Sequence, residues 1–155
     1  MSAPRLEIDL DRIGHNTRAL VRALGRRGIA VCGVTKATLG SPEVARAYLA
    51  AGVTSLGESR IENVEHLRQA GIDAPITLIR SPMLSQADRV VAGADVSLNS
   101  EVEVIERLSQ SALRQGRRHG VVLMVELGDL REGIMPEALL DVVRTVLALP
   151  GIALR

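Results

Sequence analysis

Residues 29–40 read Ile-Ala-Val-Cys-Gly-Val-Thr-Lys-Ala-Thr-Leu-Gly, and the fold is decided there. The seven mostly apolar residues Ile29–Thr35 predict a short buried strand with Lys36 at its C-terminal end. Gly40-Ser41-Pro42-Glu43 predicts a loop that opens a helix, with serine as cap and proline at the first helical position. An ammonium group at the end of an apolar strand is costly to desolvate, so burial favours the neutral amine. A neutral amine attacks carbonyls and forms a Schiff base. The competing reading is a lysine whose stem lies along apolar surface while its head reaches solvent. The strand alone favours that second reading, because lysine is rarely buried without a partner. Cys32 lies in the same alternating phase as Val34 and Lys36 and reads as a small core residue.

Upstream, Leu6–Leu10 alternates apolar and acidic residues and predicts a strand. Asp9 and Asp11 read as capping and dipole-complementing acids. Leu10, Ile13, Thr17, Leu20, Val21 and Leu24 recur at helical spacing, up to a stop at Gly25–Gly28. Downstream, Val44, Ala47, Tyr48 and Ala51 form one helical face that ends at Gly52. The pattern then repeats. Strands are expected at 53–56, 75–79, 94–98, 120–127 and 152–155. Capping boxes are expected at Ser59–Glu62 and Ser100–Glu103, and helical starts at Ser81-Pro82 and Pro136.

Strands alternating with amphipathic helices at this spacing predict parallel βα units, five from Ile29 plus the start of a sixth strand. Two architectures fit: a doubly wound sheet, or part of an eight-stranded βα barrel. No G-x-G-x-x-G motif follows the first strand, which weakens the dinucleotide form of the first. Polar residues favour the barrel. Lys36, Glu58-Ser59, Arg80-Ser81, Asn99-Ser100 and Glu126 all fall at predicted strand C-termini, the face where barrels carry their chemistry. The expected fold is thus α/β, a TIM-type (β/α)8 barrel that is incomplete over these residues.

Composition narrows the function. Of 155 residues, 46% are hydrophobic and the net charge is +1, which suits a globular chain and gives no electrostatic case for nucleic acid. Tyr48 is the only aromatic residue, so base-stacking platforms and aromatic cages are excluded. One cysteine rules out an internal disulfide. The N-terminus has no apolar targeting stretch, and no apolar run approaches membrane-spanning length, so the cytoplasm is the expected compartment. His15, His66 and His119 lack ligand spacing, so no metal site is expected. Phosphate loops of the G-x-x-x-x-G-K type and nucleophilic triads find no support. Lys36 remains, joined by Arg131 in the segment Glu126–Gly133, whose two glycines permit a tight loop past the fifth strand. An arginine over the same mouth as Lys36 would favour an anionic oxygen. The plainer reading pairs it with Asp129 or Glu132.

At these residues the sequence resembles the alanine racemase family, with its N-terminal pyridoxal-phosphate barrel of fold type III. The likeness runs through Ile8–Asn16 (IDLDRIGHN), Val34–Gly40 (VTKATLG), Gly57–Asn63 (GESRIEN), Arg80–Val90 (RSPMLSQADRV), Ser97–Glu103 (SLNSEVE) and Met124–Ile134 (MVELGDLREGI). Within the family it is nearest the amino-acid racemase branch that includes ornithine racemase. The resemblance implies that residues 1–155 are the N-terminal portion of a barrel holding pyridoxal 5'-phosphate. It implies that Lys36 is the catalytic lysine and holds the cofactor as a Schiff base, and that Arg131 lies near the cofactor's phenolic oxygen. It further implies a small amino-acid substrate and a homodimer. The second acid/base, a tyrosine from a C-terminal β-domain, crosses the dimer; Tyr48 does not match it. Alanine racemases carry a phosphate-binding tyrosine just after the lysine, where this chain has Ala37-Thr38-Leu39-Gly40, which favours a non-alanine branch. Two other readings stay open. One is a non-catalytic pyridoxal-phosphate homeostasis protein on the same barrel, with its similar segment at Gly57-Glu58-Ser59. The other is an aldolase-like lysine that works without cofactor.

Overall fold

The computed structural model describes residues 4–155. Six parallel strands alternate with helices: α1 (Leu10–Gly25), β1 (Cys32–Val34), α2 (Pro42–Ala50), β2 (Ser55–Glu58), α3 (Ile61–Gln69), β3 (Ile76–Leu78), α4 (Ala87–Gly93), β4 (Val96–Asn99), α5 (Val102–Arg114), β5 (His119–Leu123), α6 (Leu139–Leu147) and β6 (Ile152–Leu154). The strands lie in the order β1-β2-β3-β4-β5-β6, each pairing parallel with the next. A doubly wound sheet would reverse its order about a switch point. Unbroken sequential order is the barrel's order, and here the sheet is open, without a β6–β1 pairing among the described residues.

Alternation sends successive side chains to opposite faces. One face packs on the helices. Leu56, Ile76, Leu78 and Val121 are buried there against Val64 and Leu67 of α3, Val90 of α4, and Ile105 and Leu108 of α5. Each side chain of this kind contributes roughly 1.5–3 kcal/mol on burial. The other face carries Cys32, Val34, Thr77, Ile79, Val96, Leu98 and Val122, all exposed or half-buried. Gly57 lies on it too: a Cβ there would stand 3.2–3.5 Å from Val34, Ile79 and Cys32. Cys32 is therefore not the core residue the sequence suggested. It faces the open side of the sheet and is exposed.

Local chemistry explains most boundaries. Asp9 accepts from the Arg12 N–H and caps α1, so Leu10 becomes its first helical residue and the strand expected at 6–10 does not form. Ser41 caps α2 as expected. Neither predicted capping box forms: α3 and α5 begin after Arg60 and Glu101, which give no side-chain cap. At the strands' N-terminal end, Arg68 binds the Gly93, Ile72 and Ala74 carbonyls and the Asp95 carboxylate. A buried polar chain lies nearby: Asn99 Nδ2 donates to Ser97 Oγ, which stands 2.9 Å from His119 Nε2.

Candidate active site at the strand C-termini

Lys36 opens a short 3-10 turn, Lys36–Thr38, immediately past β1. It sits on the C-terminal rim of the sheet, in the phase of the open face, and is exposed. The dry surroundings anticipated from the sequence are not supplied by the described residues. Its backbone is nonetheless held. The preceding Thr35 is fully buried; its N–H donates to the Gly57 carbonyl, and its hydroxyl donates to Glu58 Oε2 at 2.9 Å. Leu39 takes a left-handed conformation (φ 53°) and returns the chain toward α2.

Glu58 is the residue that organises this end of the rim. Its carboxylate is fully buried and also accepts the Ser59 N–H at 2.6 Å and the Arg60 N–H at 3.3 Å. It thus satisfies amides ahead of α3, the task the sequence assigned to Ser59, whose hydroxyl turns back to Glu58. A cross-strand carboxylate leaves no sequence pattern as local as a capping box, so Glu58 shows in the sequence only as an acid at a strand end.

Arg131 stands past β5, on the same rim but four strand positions away, about 19 Å measured along a sheet with ~4.8 Å strand spacing. It is exposed, and among the described residues it forms no ion pair, so the expected partners Asp129 and Glu132 do not hold it. It lines a cavity of about 380 Å³ with Ser81, Ser100, Glu101, Glu126 and Glu132. The Ser81 and Ser100 hydroxyls are buried without hydrogen-bond partners. Glu126, mostly buried, accepts from the Gly128 and Leu130 N–H groups, and the Asp129 and Arg131 amides also face it. Those amides, Gly128 foremost, hold its carboxyl below the usual carboxylate range.

The donor set suits an anionic aldehyde or ketone. Among the described residues the Lys36 amine and the Arg131 guanidinium form no ion pair: an amine can bond an aldehyde, a guanidinium can hold an anionic oxygen, and two hydroxyls without partners line the same cavity as the guanidinium. These residues fit pyridoxal phosphate. Among the described residues, no three His, Cys, Asp or Glu side chains gather as metal ligands, and no helix is long and apolar enough to cross a membrane.

An open, sequentially ordered parallel βα sheet with its polar groups on the C-terminal rim defines a barrel-type α/β protein. The alanine racemase N-terminal domain matches residues 8–155, and the chain belongs to that family. It is 40% identical over 134 residues to the lysine racemase of Thermotoga maritima, covering 86% of this chain and 38% of that protein. It is 28% identical over 153 residues to the ornithine racemase of Acetoanaerobium sticklandii, covering 98% of this chain and 43% of that protein. The chain thus spans about two fifths of the length of these relatives. Among solved structures, the alanine racemase of Bacillus anthracis with bound L-Ala-P superposes with a TM-score of 0.82 at 20% identity, covering 99% of this chain and 42% of that one. PipY of Synechococcus elongatus, solved without PLP, superposes with 0.79 at 23% identity, covering 92% and 68%. At those identities the two structures speak for the fold alone.

Proposed function

We propose that the protein containing this chain is a pyridoxal-phosphate-dependent amino-acid racemase, and that residues 1–155 form the N-terminal part of its cofactor-holding barrel. One observation carries the reading: Lys36, without an ion pair among the described residues, stands on the C-terminal rim directly after the first strand of a sequentially ordered parallel sheet. Lys36 would hold the cofactor's aldehyde and Arg131 its phenolic oxygen. When bound, the cofactor supplies the electron sink that makes an amino acid's α-proton removable. Lys36 would serve as the base that moves that proton on one face of Cα. The opposite face needs a second acid/base. Tyr48 cannot serve, because its ring packs under Gly33, 2.8 Å from where a Cβ would stand. In a homodimer, a partner chain would supply that group. The lysine and ornithine racemases among the relatives support a basic amino acid as substrate, and the absence of tyrosine from residues 37–40 favours a substrate other than alanine.

The test is the absorbance spectrum of the full-length protein before and after borohydride, followed by peptide mapping. The expected result is a visible band lost on reduction, label on Lys36, and loss of both band and racemisation in Lys36→Ala. Label on another lysine would overturn the assignment. Cofactor held at Lys36 without racemisation of any amino acid would favour a carrier of the PipY kind instead.

A further inference from the structure

Residues 126–134 form a loop with its two ends tied together. Val125 bridges Ile134, the Glu126 N–H donates to the Ile134 carbonyl at 2.9 Å, and the Ile134 N–H donates to the Met124 carbonyl at 2.7 Å. Gly133 makes the closure possible. Its φ is 145°, and a Cβ there would lie 2.5 Å from the Glu126 nitrogen. Above this base the loop has no apolar anchor, since Leu127 and Leu130 are 88% and 83% exposed. What fills its centre is the Glu126 carboxylate, with Gly128 and Leu130 donating their amides inward. Leu130 is held at φ 51°, a conformation that L-residues avoid. The next residue is Arg131.

We propose that Glu126 is the positioning residue for Arg131: its carboxylate winds the loop so that the guanidinium is carried over the rim. A carboxylate is an acceptor only, so it can take several convergent N–H groups. Glutamine of the same size would turn its NH2 toward some of those donors and lose the charge. This inference rests on the assignment of Arg131 to the cofactor's anionic oxygen made above.

The test uses the full-length protein in two measurements on Glu126→Gln, Arg131→Ala and the double variant. The first is amide hydrogen exchange at residues 128–131. The second is pyridoxal-phosphate titration of the apo protein by absorbance. Glu126→Gln is expected to speed exchange in the loop and weaken cofactor binding about tenfold, the scale of one charge-assisted hydrogen bond. The double variant is expected to bind no more weakly than Arg131→Ala alone, because Glu126 acts through that arginine. Unchanged exchange in Glu126→Gln would overturn the proposal, as would a double variant whose losses simply add. Faster exchange with unaltered binding in Arg131→Ala would sink the arginine's assignment and reduce Glu126 to a loop anchor. Should Glu126→Gln fold poorly, Glu126→Asp keeps the charge, withdraws the oxygen, and is read in the same two measurements.

Discussion

Glu58 and Glu126 are both carboxylates at strand C-termini, Glu58 on the strand paired beside that of Lys36 and Glu126 in the loop of Arg131, yet they are built in differently. Glu58 is fully buried on the helix-packed side and ties β1 to β2 through the Thr35 hydroxyl before turning to the Ser59 and Arg60 amides. Glu126 binds only the amides of its own loop. Both carboxylates are occupied by backbone or hydroxyl donors, and among the described residues neither Lys36 nor Arg131 forms an ion pair. The contrast concerns stiffness. Lys36 stands on backbone cross-linked into the sheet, whereas Arg131 stands on a loop tied by backbone at its base and filled above it by one side chain.

The largest effect expected from this contrast is on stability. Glu58→Ala leaves two amides without their acceptor and the buried Thr35 hydroxyl with only the long bond to the Gly57 carbonyl, a loss of about 3 kcal/mol. At roughly 2–4 °C per kcal/mol for a chain of this size, the melting temperature should fall by about 6–12 °C. Glu126→Gln should move it far less. Equal shifts, measured by thermal unfolding of the two variants side by side, would mean that the two carboxylates are equally structural.

His119 sharpens the same contrast at the far end of the packed side. Its ring is buried, bonded to Ser97 and facing the Ala94 carbonyl, and burial pushes its pKa down to about 4. The ring therefore folds neutral, and the unfolded chain binds more protons between that value and the ordinary ~6.5. Stability from this group is full above pH ~6.5 and is lost as pH falls toward 4, by about 3 kcal/mol in all. Urea titrations across that window should show this slope in the wild type. Subtracting the curve of His119→Asn, which cannot titrate, isolates the term; parallel curves would mean the ring is hydrated in solution.

How far the sequence told this story depends on the range of the interaction concerned. Helix faces and glycine stops arise from neighbours in the chain, and periodicity revealed them; strand order was read instead from the polar residues at strand ends, and Ser41 and Asp9 cap where expected. The two capping boxes failed for different reasons. Glu58 reaches the amides ahead of α3 before Ser59 can, and Ser100 lies buried with no partner. Cys32 was misplaced because alternation gives a strand's two faces but does not say which one the helices cover. Lys36 and Arg131 were legible as charged residues at strand ends. Their supports were not, since a carboxylate that folds back on amides reads in sequence like any other acid at a barrel mouth.

The smallest effect concerns Leu130. Its left-handed backbone costs about 1–2 kcal/mol relative to an unstrained residue. Its exposed side chain offers little packing in return. Glycine would relieve that strain but bring about 0.5–1 kcal/mol of extra chain entropy on unfolding. Leu130→Gly should therefore be neutral to stabilising by about 0.5 kcal/mol, visible as slightly slower amide exchange across residues 128–131. The gain should depend on Glu126, because the carboxylate is what holds Leu130 at φ 51°. In a Glu126→Gln background the loop is free to leave that conformation, and the glycine then relieves no strain. A benefit of the same size in both backgrounds would show that the tied base at Val125 and Ile134, rather than the carboxylate, imposes the left-handed turn.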